Sequence, residues 1–550
     1  MNAPHPQPFR NRSTILRSLR WLFRGSTLRR IGLTLAWVAT AVALVYAVEN
    51  WRARRAWNQY QQTFAARGLQ PELSDYIPPP IPDDQNLAAT PLIRSWFVRG
   101  PHGGPRWDDA WDAADLSKVQ DPKPGNLRRP LDLAAWAWVL EAAASNRVAN
   151  PLNPRRPTKL PDPAALQSRF PSRADAAQTI LEIQKEDESR FDELREAARR
   201  PQARFPVDYN MENPWGILLP HLSGLRTTTR RLQVRACAEL ALGNSPAALE
   251  DVLLGLRLAT STTNEPFLIS FLVRLAIVQE TLQPVWEGLE DHRWTGEQLT
   301  VLQQRLADLH FLPELDRAMA GERAAALLTA DLLAAHKAKL GDLGNVPGLS
   351  PGDESIRDLL ERLAPRSWFD REKLNYCRLL DRQLDGAYDS GRNRVFPSRN
   401  ASNSREIESI LGISGSGRFG EPVPASGSAP GLGGLLQHRS LATLLLPELK
   451  EIPAKATAVQ TSVDQARIAC ALEQYRLAHG DFPESLAALV PPLMAELPKD
   501  PITGEPYRYR RIAGGYQLYS VGWNERDDQG VPGPTAFDRE TGDWVWRGSP

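Results

Sequence analysis

The sequence lacks the short motifs that mark many enzymes. It contains no Walker A phosphate loop, no H-E-x-x-H zinc motif and no C-x-x-C pair. Cysteine is scarce: Cys237, Cys377 and Cys470 are far apart and odd in number, which excludes a disulfide framework and metal-ligand spacing. We expect each to be a small buried apolar residue. A catalytic triad assembled from distant residues stays compatible with the sequence, because geometry and not chain order defines a triad.

A basic surface is missing from most of the chain. The net charge is +1, but residues 1–30 contain seven arginines and no acidic residue, so the rest of the chain carries a net charge of −6. The seven are Arg10, Arg12, Arg17, Arg20, Arg24, Arg29 and Arg30. A body that binds nucleic acid needs a basic face, so we expect no nucleic-acid partner.

Charged residues are likewise absent from Ile31–Val48. As a helix this segment would span roughly 27 Å, which is enough to cross the core of a bilayer. We therefore predict a transmembrane helix over residues 31–49, which makes the membrane a partner of the chain.

Arginines decide the predicted orientation of this helix. The seven before it outnumber the three after it, Arg52, Arg54 and Arg55. The positive-inside rule then makes residues 1–30 a basic cytoplasmic segment and places the bulk of the chain in the periplasm, with the helix in a bacterial inner membrane. Two alternatives stay open. One is a cleaved signal peptide, since Val45 and Ala47 lie where its small residues would, and the other is a mitochondrial transit peptide.

The middle of the chain divides by composition. Residues 50–172 combine a helical continuation of the membrane segment, ending at Gly68, with proline-rich connections. Residues 173–340 carry apolar residues at helical spacing and predict a helical body. Residues 341–440 alternate helical patches with stretches rich in Gly, Ser, Asn and Pro, such as residues 398–404, which predict flexible linkers.

The sequence predicts one helical hairpin of the body in detail. Within Leu232–Ala259, Gly243 is predicted to end the first helix and Ser245 to cap the second, with Pro246 in its first turn. The sequence A-L-G-N-S-P-A-A-L-E-D is similar to part of one tetratricopeptide unit. Members of that family bind partner proteins in the groove of stacked hairpins. The resemblance implies a solenoid-like body, and the alternative is an ordinary helical hairpin.

Residues 441–550 predict a small α+β domain. Apolar residues from Ile452 to Cys470 recur at steps of four and three, which predicts a helix packed along one side. Gly480 would end this helix, and Asp481 would cap a second one. Three strands are predicted after it: Tyr507–Ile512, Tyr516–Val521 and Asp543–Trp546.

Three stretches within residues 455–546 carry a family resemblance. They read V-D-Q-A-R-I-A-C-A-L-E-Q-Y-R-L-A-H-G-D-F-P-E, L-P-K-D-P-I-T-G-E-P-Y and G-Y-Q-L-Y-S-V-G-W-N. Together they resemble the globular head of the major pseudopilin of type II secretion systems, which implies a long helix laid over a small antiparallel sheet. Processing as a filament-forming pilin is not expected, because Arg29 and Arg30 stand where a pilin has unbroken apolar residues and a glutamate.

The same resemblance implies a metal site. In the major pseudopilin, a loop after the equivalent of Y-S-V-G binds calcium, and here that loop is 523–543. Its candidate calcium ligands are Asn524, Asp527, Asp528, Asp538 and Asp543. Oxygen-rich turns of this kind suit calcium, although the loop departs from the family in length and in its double glycine. The alternative is a solvated acidic loop, and no other cofactor is expected.

The whole sequence predicts a mainly α protein with a single transmembrane helix, a helical body and a small C-terminal pseudopilin-like α+β domain. We expect a membrane-anchored extracytoplasmic binding or assembly protein, with other envelope proteins as partners in an envelope or secretion-related complex. The alternatives are an extracytoplasmic hydrolase with its site in the helical body and a purely structural spacer. A pocket in which His, Asp, Ser or Glu side chains converge would favour the hydrolase.

Overall fold

The computed structural model describes residues 25–98, 128–149, 161–209, 214–339, 364–412 and 438–548. The chain is mostly helical with small sheets, which confirms the mainly α class. The N-terminal part contains α1 (Gly25–Ala66), α2 (Pro91–Ser95), α3 (Leu133–Ala149), α4 (Pro163–Arg169), α5 (Arg173–Gln184) and α6 (Glu188–Ala198). The middle contains α7 (Pro220–Ala241), α8 (Ser245–Thr260), α9 (Leu268–Glu290), α10 (Gly296–Ala307) and α11 (Phe311–Ala334). The C-terminal part contains α12 (Arg366–Leu384), β1 (Tyr388–Asp389), β2 (Arg394–Val395), α13 (Pro397–Leu411), α14 (Ser440–Leu449), α15 (Ile452–His479), β3 (Arg508–Ile512), β4 (Gly515–Ser520) and β5 (Trp544–Gly548).

In the part of the chain that the structure describes, two helices are long and apolar enough to cross a membrane. One is α1, whose described side chains between Leu33 and Val48 are all exposed. The other is α9, which is mostly buried among its neighbours. The core helix of a body is apolar for the sake of packing, so burial accounts for α9, and α1 is the candidate for a membrane.

The helical body is centred on α7, which packs against α5, α8 and α9. The predicted hairpin is present: α7 ends at Ala241, Gly243 has a left-handed φ of 82°, and α8 begins at Ser245. The predicted cap at Ser245 is wrong by one residue. Asn244 precedes the helix, and its side chain donates to Glu239 at 2.8 Å instead of capping α8.

Helix α15 is buried on nearly every side from Ile452 to Glu473. Helices α9, α10 and α11 pack on it, and β4 contacts it as well. Its polar side chains bond to other elements: Gln460 accepts the amide of Phe311 at 3.1 Å, and Gln465 donates to the carbonyl of Trp544 at 2.8 Å. The prediction of a helix packed along one side is therefore wrong, because the body and the C-terminal strands both cover it.

Strands β3, β4 and β5 form an antiparallel sheet in that order, with Tyr509 opposite Leu518 and Leu518 opposite Trp546. Strand β4 is central and buried, whereas β3 is an exposed edge. The three predicted strands are present with shifted ends. The second predicted helix is wrong: only a 3-10 turn, Leu486–Leu489, follows Asp481, because nearby prolines interrupt a longer helix.

The flexible linker predicted at residues 398–404 is wrong, since this segment lies inside α13. Its asparagines bond to distant backbone: Asn400 donates to the carbonyl of Lys450 at 3.2 Å, and Asn403 to that of Asp385 at 2.9 Å. These acceptors are brought within reach only by folding. Polar composition therefore predicts a flexible linker here, whereas tertiary contacts hold the segment as a helix.

One cluster of buried apolar side chains runs from Trp57 in α1 to Trp546 in β5. The C-terminal region thus shares its core with the body, and the domain boundaries drawn from composition stay predictions. Residues 1–24 of the basic segment, residues 99–127 and 150–160 of the proline-rich connections, and residues 341–363 and 413–437 of the segment 341–440 lie outside the described residues.

Candidate functional site

The stalk junction, which we define as residues 49–67 and the face of α12 that they contact, joins the exposed half of α1 to the body. Ala53, Trp57 and Phe64 recur at helical spacing on one side of α1 and are buried, with Trp57 8% and Phe64 2% exposed. The ammonium group of Lys373 on α12 lies 5.0 Å from the ring centre of Trp57, within the range of a cation–π contact. One unbroken helix therefore runs from the exposed apolar segment into the core.

Asp381 of α12 fastens the end of α1. The Tyr60 hydroxyl donates to one carboxylate oxygen at 2.5 Å, and the guanidinium of Arg67 donates to the same oxygen at 2.8 Å. Arg323 of α11, only 7% exposed, lies 2.8 Å from the other oxygen. Burial raises the pKa of Tyr60 far above its ordinary value, so the phenol stays a neutral donor. Three segments of the chain thus meet at one carboxylate.

A second set of contacts holds the N-terminal end of the junction. The side-chain oxygen of Asn50 accepts the backbone amide of Ser367 at 3.1 Å, which satisfies one of the free N–H groups in the first turn of α12. Glu49 forms an ion pair with Arg371 on the next turn of α12. The junction is therefore fixed at both ends, and a rotation of α1 against the body would break both sets of contacts.

Three of the five predicted calcium ligands meet in loop 523–543. The Asn524 amide donates to Asp528 at 3.1 Å, and the backbone amide of Asp528 donates to Asp543 at 3.1 Å. The second carboxylate oxygen of Asp543 accepts the amide of Gly530 at 2.5 Å. Burial raises the pKa of Asp543, and the two amide donors oppose that rise. Backbone donors therefore hold this buried carboxylate in place.

The other two predicted ligands make separate contacts. Asp527 lies 3.3 Å from the guanidinium of Arg508, and Asp538 accepts the backbone amides of Glu540 and Thr541 at 3.0 and 2.9 Å. Within the described ranges, no group of three or more His, Cys, Asp or Glu side chains is arranged to hold a metal ion. Calcium binding by this loop stays a prediction of the resemblance.

A buried polar cluster lies between α15 and the strands, and no local sequence pattern predicts it. Asp464, 2% exposed, accepts the Tyr507 hydroxyl and the Gln460 amide, each at 3.2 Å. Asp500 is equally buried and accepts the amide of Ile502 at 2.9 Å. Burial raises the pKa of Asp464 to about 7 and also raises that of Asp500. Both carboxyl groups therefore hold their protons more tightly in the folded chain than in the unfolded chain.

One cluster joins the residue types that a hydrolase would use. Nε2 of His221 lies 2.8 Å from Glu265, and Ser270 donates to the other carboxylate oxygen at 2.5 Å. The glutamate stands between the other two, whereas a triad needs the histidine beside the hydroxyl. All three are buried, and the imidazole stacks on Phe97 and Phe205 with ring centres 5.6 and 4.2 Å away. As packed, the cluster offers a substrate no access.

Comparison with known protein families, with curated proteins and with solved structures returned no match. The residues of the junction were only partly visible in the sequence. The apolar spacing of α1 and the stop at Gly68 were local signals, whereas Asp381 lies 321 positions from Tyr60. No local pattern could have paired them. The stalk junction, in which three segments of the chain meet, is the candidate functional site.

Proposed function

We propose that α1 anchors the protein in a bacterial inner membrane, with the N-terminus in the cytoplasm and the body in the periplasm. The observation that carries this proposal is the contrast between the two halves of α1. The described side chains between Leu33 and Val48 are exposed, among them Leu35 at 63% and Trp37 at 74%, while one face of the second half is buried in the body. Lipid would remove the cost of exposing such a surface to water. The arginines before residue 31 support the orientation.

We further propose that the anchored body is a binding or assembly component of an envelope or secretion-related complex. Its support is twofold. The stalk junction would hold the body in a fixed orientation relative to the membrane, which suits a protein that presents a surface to partners. The C-terminal region combines a long helix ended by Gly480, with a φ of 84°, and a three-stranded antiparallel sheet, the plan of a pseudopilin head. Burial of α15 by the body fits a head reused inside a larger protein.

Photo-crosslinking in living cells tests the binding role. A photoreactive residue would replace Leu477 or Val531, which are 49% and 60% exposed in the C-terminal region, and a matched control would replace Leu218 in the body, 53% exposed. We expect a discrete adduct with an envelope protein from the C-terminal positions and none from the control. A spacer would give no adduct at any position. A chain that does not sediment with membranes would refute the anchoring instead.

A further inference from the structure

The side of α1 that faces away from the body carries a polar stripe. We define the stripe as Trp51, Arg54, Arg55, Asn58, Gln59 and Gln62, all exposed. They recur at steps of three, one, three, one and three, so they share one side of the helix. With Ala47 and Asn50 they line an open depression of about 550 Å³ on the surface of α1. Ala53, Trp57 and Phe64, which dock on the body, lie on the other side.

The stripe offers hydrogen-bond donors and positive charge. Guanidinium groups, side-chain amides and an indole N–H all donate, and the stripe contains no carboxylate that would neutralise the two arginines. The guanidinium of Arg55 lies 5.5 Å from the ring centre of Trp51. The nearest acid along the helix, Glu49, is already engaged by Arg52 at 3.6 Å and by Arg371. A ligand that only accepts hydrogen bonds and carries negative charge complements this surface.

The position of the stripe along the helix selects the source of that ligand. Arg54 and Arg55 follow Val48, the last residue of the apolar segment, by roughly 9 and 10.5 Å of helix rise. The headgroup zone of a bilayer extends about 5 to 8 Å beyond the hydrocarbon core. Helical side chains lean toward the helix N-terminus, which here is the membrane side. Both guanidinium groups can therefore reach the level of the lipid phosphates while their backbone stands just above it.

We propose that the stripe binds the phosphate headgroups of anionic phospholipids in the leaflet from which α1 emerges. This inference rests on the proposed membrane anchoring. A protein partner fits the stripe less well, because tight protein interfaces need a desolvated apolar or aromatic centre, and the one aromatic residue here, Trp51, stands at the membrane end. Bound headgroups would fix the depth of α1 in the bilayer and strengthen its membrane anchoring beyond what the apolar segment supplies.

Lipid retention by the full-length chain tests this proposal. The protein would be reconstituted into vesicles of phosphatidylcholine with one fifth phosphatidylglycerol and re-extracted into mild detergent, and mass spectrometry would measure the lipids that co-purify. We expect phosphatidylglycerol to be enriched about fivefold or more over the vesicle composition, since one arginine near an anionic surface is worth about that preference. The variant R54Q/R55Q keeps the seven arginines of residues 1–30, so its enrichment should fall below that of the wild type to what that segment supplies. The control R293Q/R405Q removes the same charge from exposed positions outside the stripe and should keep the enrichment of the wild type.

Three outcomes would overturn the proposal: no enrichment in the wild type, equal enrichment in R54Q/R55Q, or an equal loss in the charge control. A protein–protein adduct formed by a crosslinker at Gln59 in place of lipid retention would assign the stripe to a protein. Failure of the anchoring itself would look different, because the wild type would then remain outside the vesicles during reconstitution.

Discussion

The substitution Asp381→Asn should weaken the contact of residues 49–67 of α1 with the body without unfolding the chain. Asparagine keeps the volume of the side chain but removes the charge that balances Arg323, which is 7% exposed. Removing one partner of a buried ion pair costs roughly 3 to 5 kcal/mol. Asp381 is 19% exposed, so we take the lower end, about 3 kcal/mol. Arg67 is 54% exposed and adds little.

Hydrogen exchange measures this loss where it occurs. About 3 kcal/mol corresponds to roughly a hundredfold larger opening equilibrium. Amides of residues 53–66 should therefore exchange roughly a hundredfold faster in the variant, in detergent-solubilised full-length chain, while amides of the body keep their protection. The exposed Asp84→Asn serves as the control and should change stability by less than about 0.5 kcal/mol. Unchanged exchange at residues 53–66 would show that Asp381 does not hold this part of α1 against the body.

Three further predictions concern the core and the acidic loop. Burial raises the pKa of Asp464 to about 7 in the folded chain, above its unfolded value of about 3.9. The folded chain therefore binds this proton more tightly, and the free energy of unfolding should fall as pH rises from about 4 to about 7. Asp464→Asn should flatten that slope in denaturant titrations at several pH values, and an unchanged slope would contradict this. Gly321→Ala should cost roughly 3 kcal/mol, because its Cβ would lie 1.9 Å from the carbonyl oxygen of Pro266. Gly296→Ala meets open space and should be neutral in the same thermal melts; equal losses would refute the packing argument. Millimolar calcium should raise the Tm, and Asp528→Asn should abolish the rise; a wild type indifferent to calcium would remove the predicted site.

Features set by neighbouring residues could be predicted from the sequence. The sequence predicts that a helix ends at each of Gly68, Gly243 and Gly480, and each has a left-handed φ, of 68°, 82° and 84° respectively. Such a conformation follows from a few adjacent residues, since glycine alone adopts it without steric cost. The strands near the C-terminus were recognised for the same reason, through their alternation over five or six residues.

Features set by distant residues could not be predicted in this way. Gln460, Asp464 and Gln465 are polar and lie off the apolar seam of α15, as residues of a solvated face would. They are buried because the body and the C-terminal strands supply partners: the amide of Phe311 is 149 positions from Gln460, and the carbonyl of Trp544 is 79 from Gln465. The same limit hid the Asp381 contacts, and it explains why asparagines in α13 resembled a linker.

A reporter fused to the C-terminal end of the chain tests membrane anchoring most directly. The measurement combines a C-terminal phosphatase, active only outside the cytoplasm, with alkaline carbonate extraction of the membranes, for the full chain and for a variant lacking residues 31–48. We predict an active phosphatase and a carbonate-resistant full chain. The variant should leave the membrane, because it lacks the apolar segment that anchors the chain. An inactive phosphatase on the full chain, or a full chain released by carbonate, would contradict the anchoring.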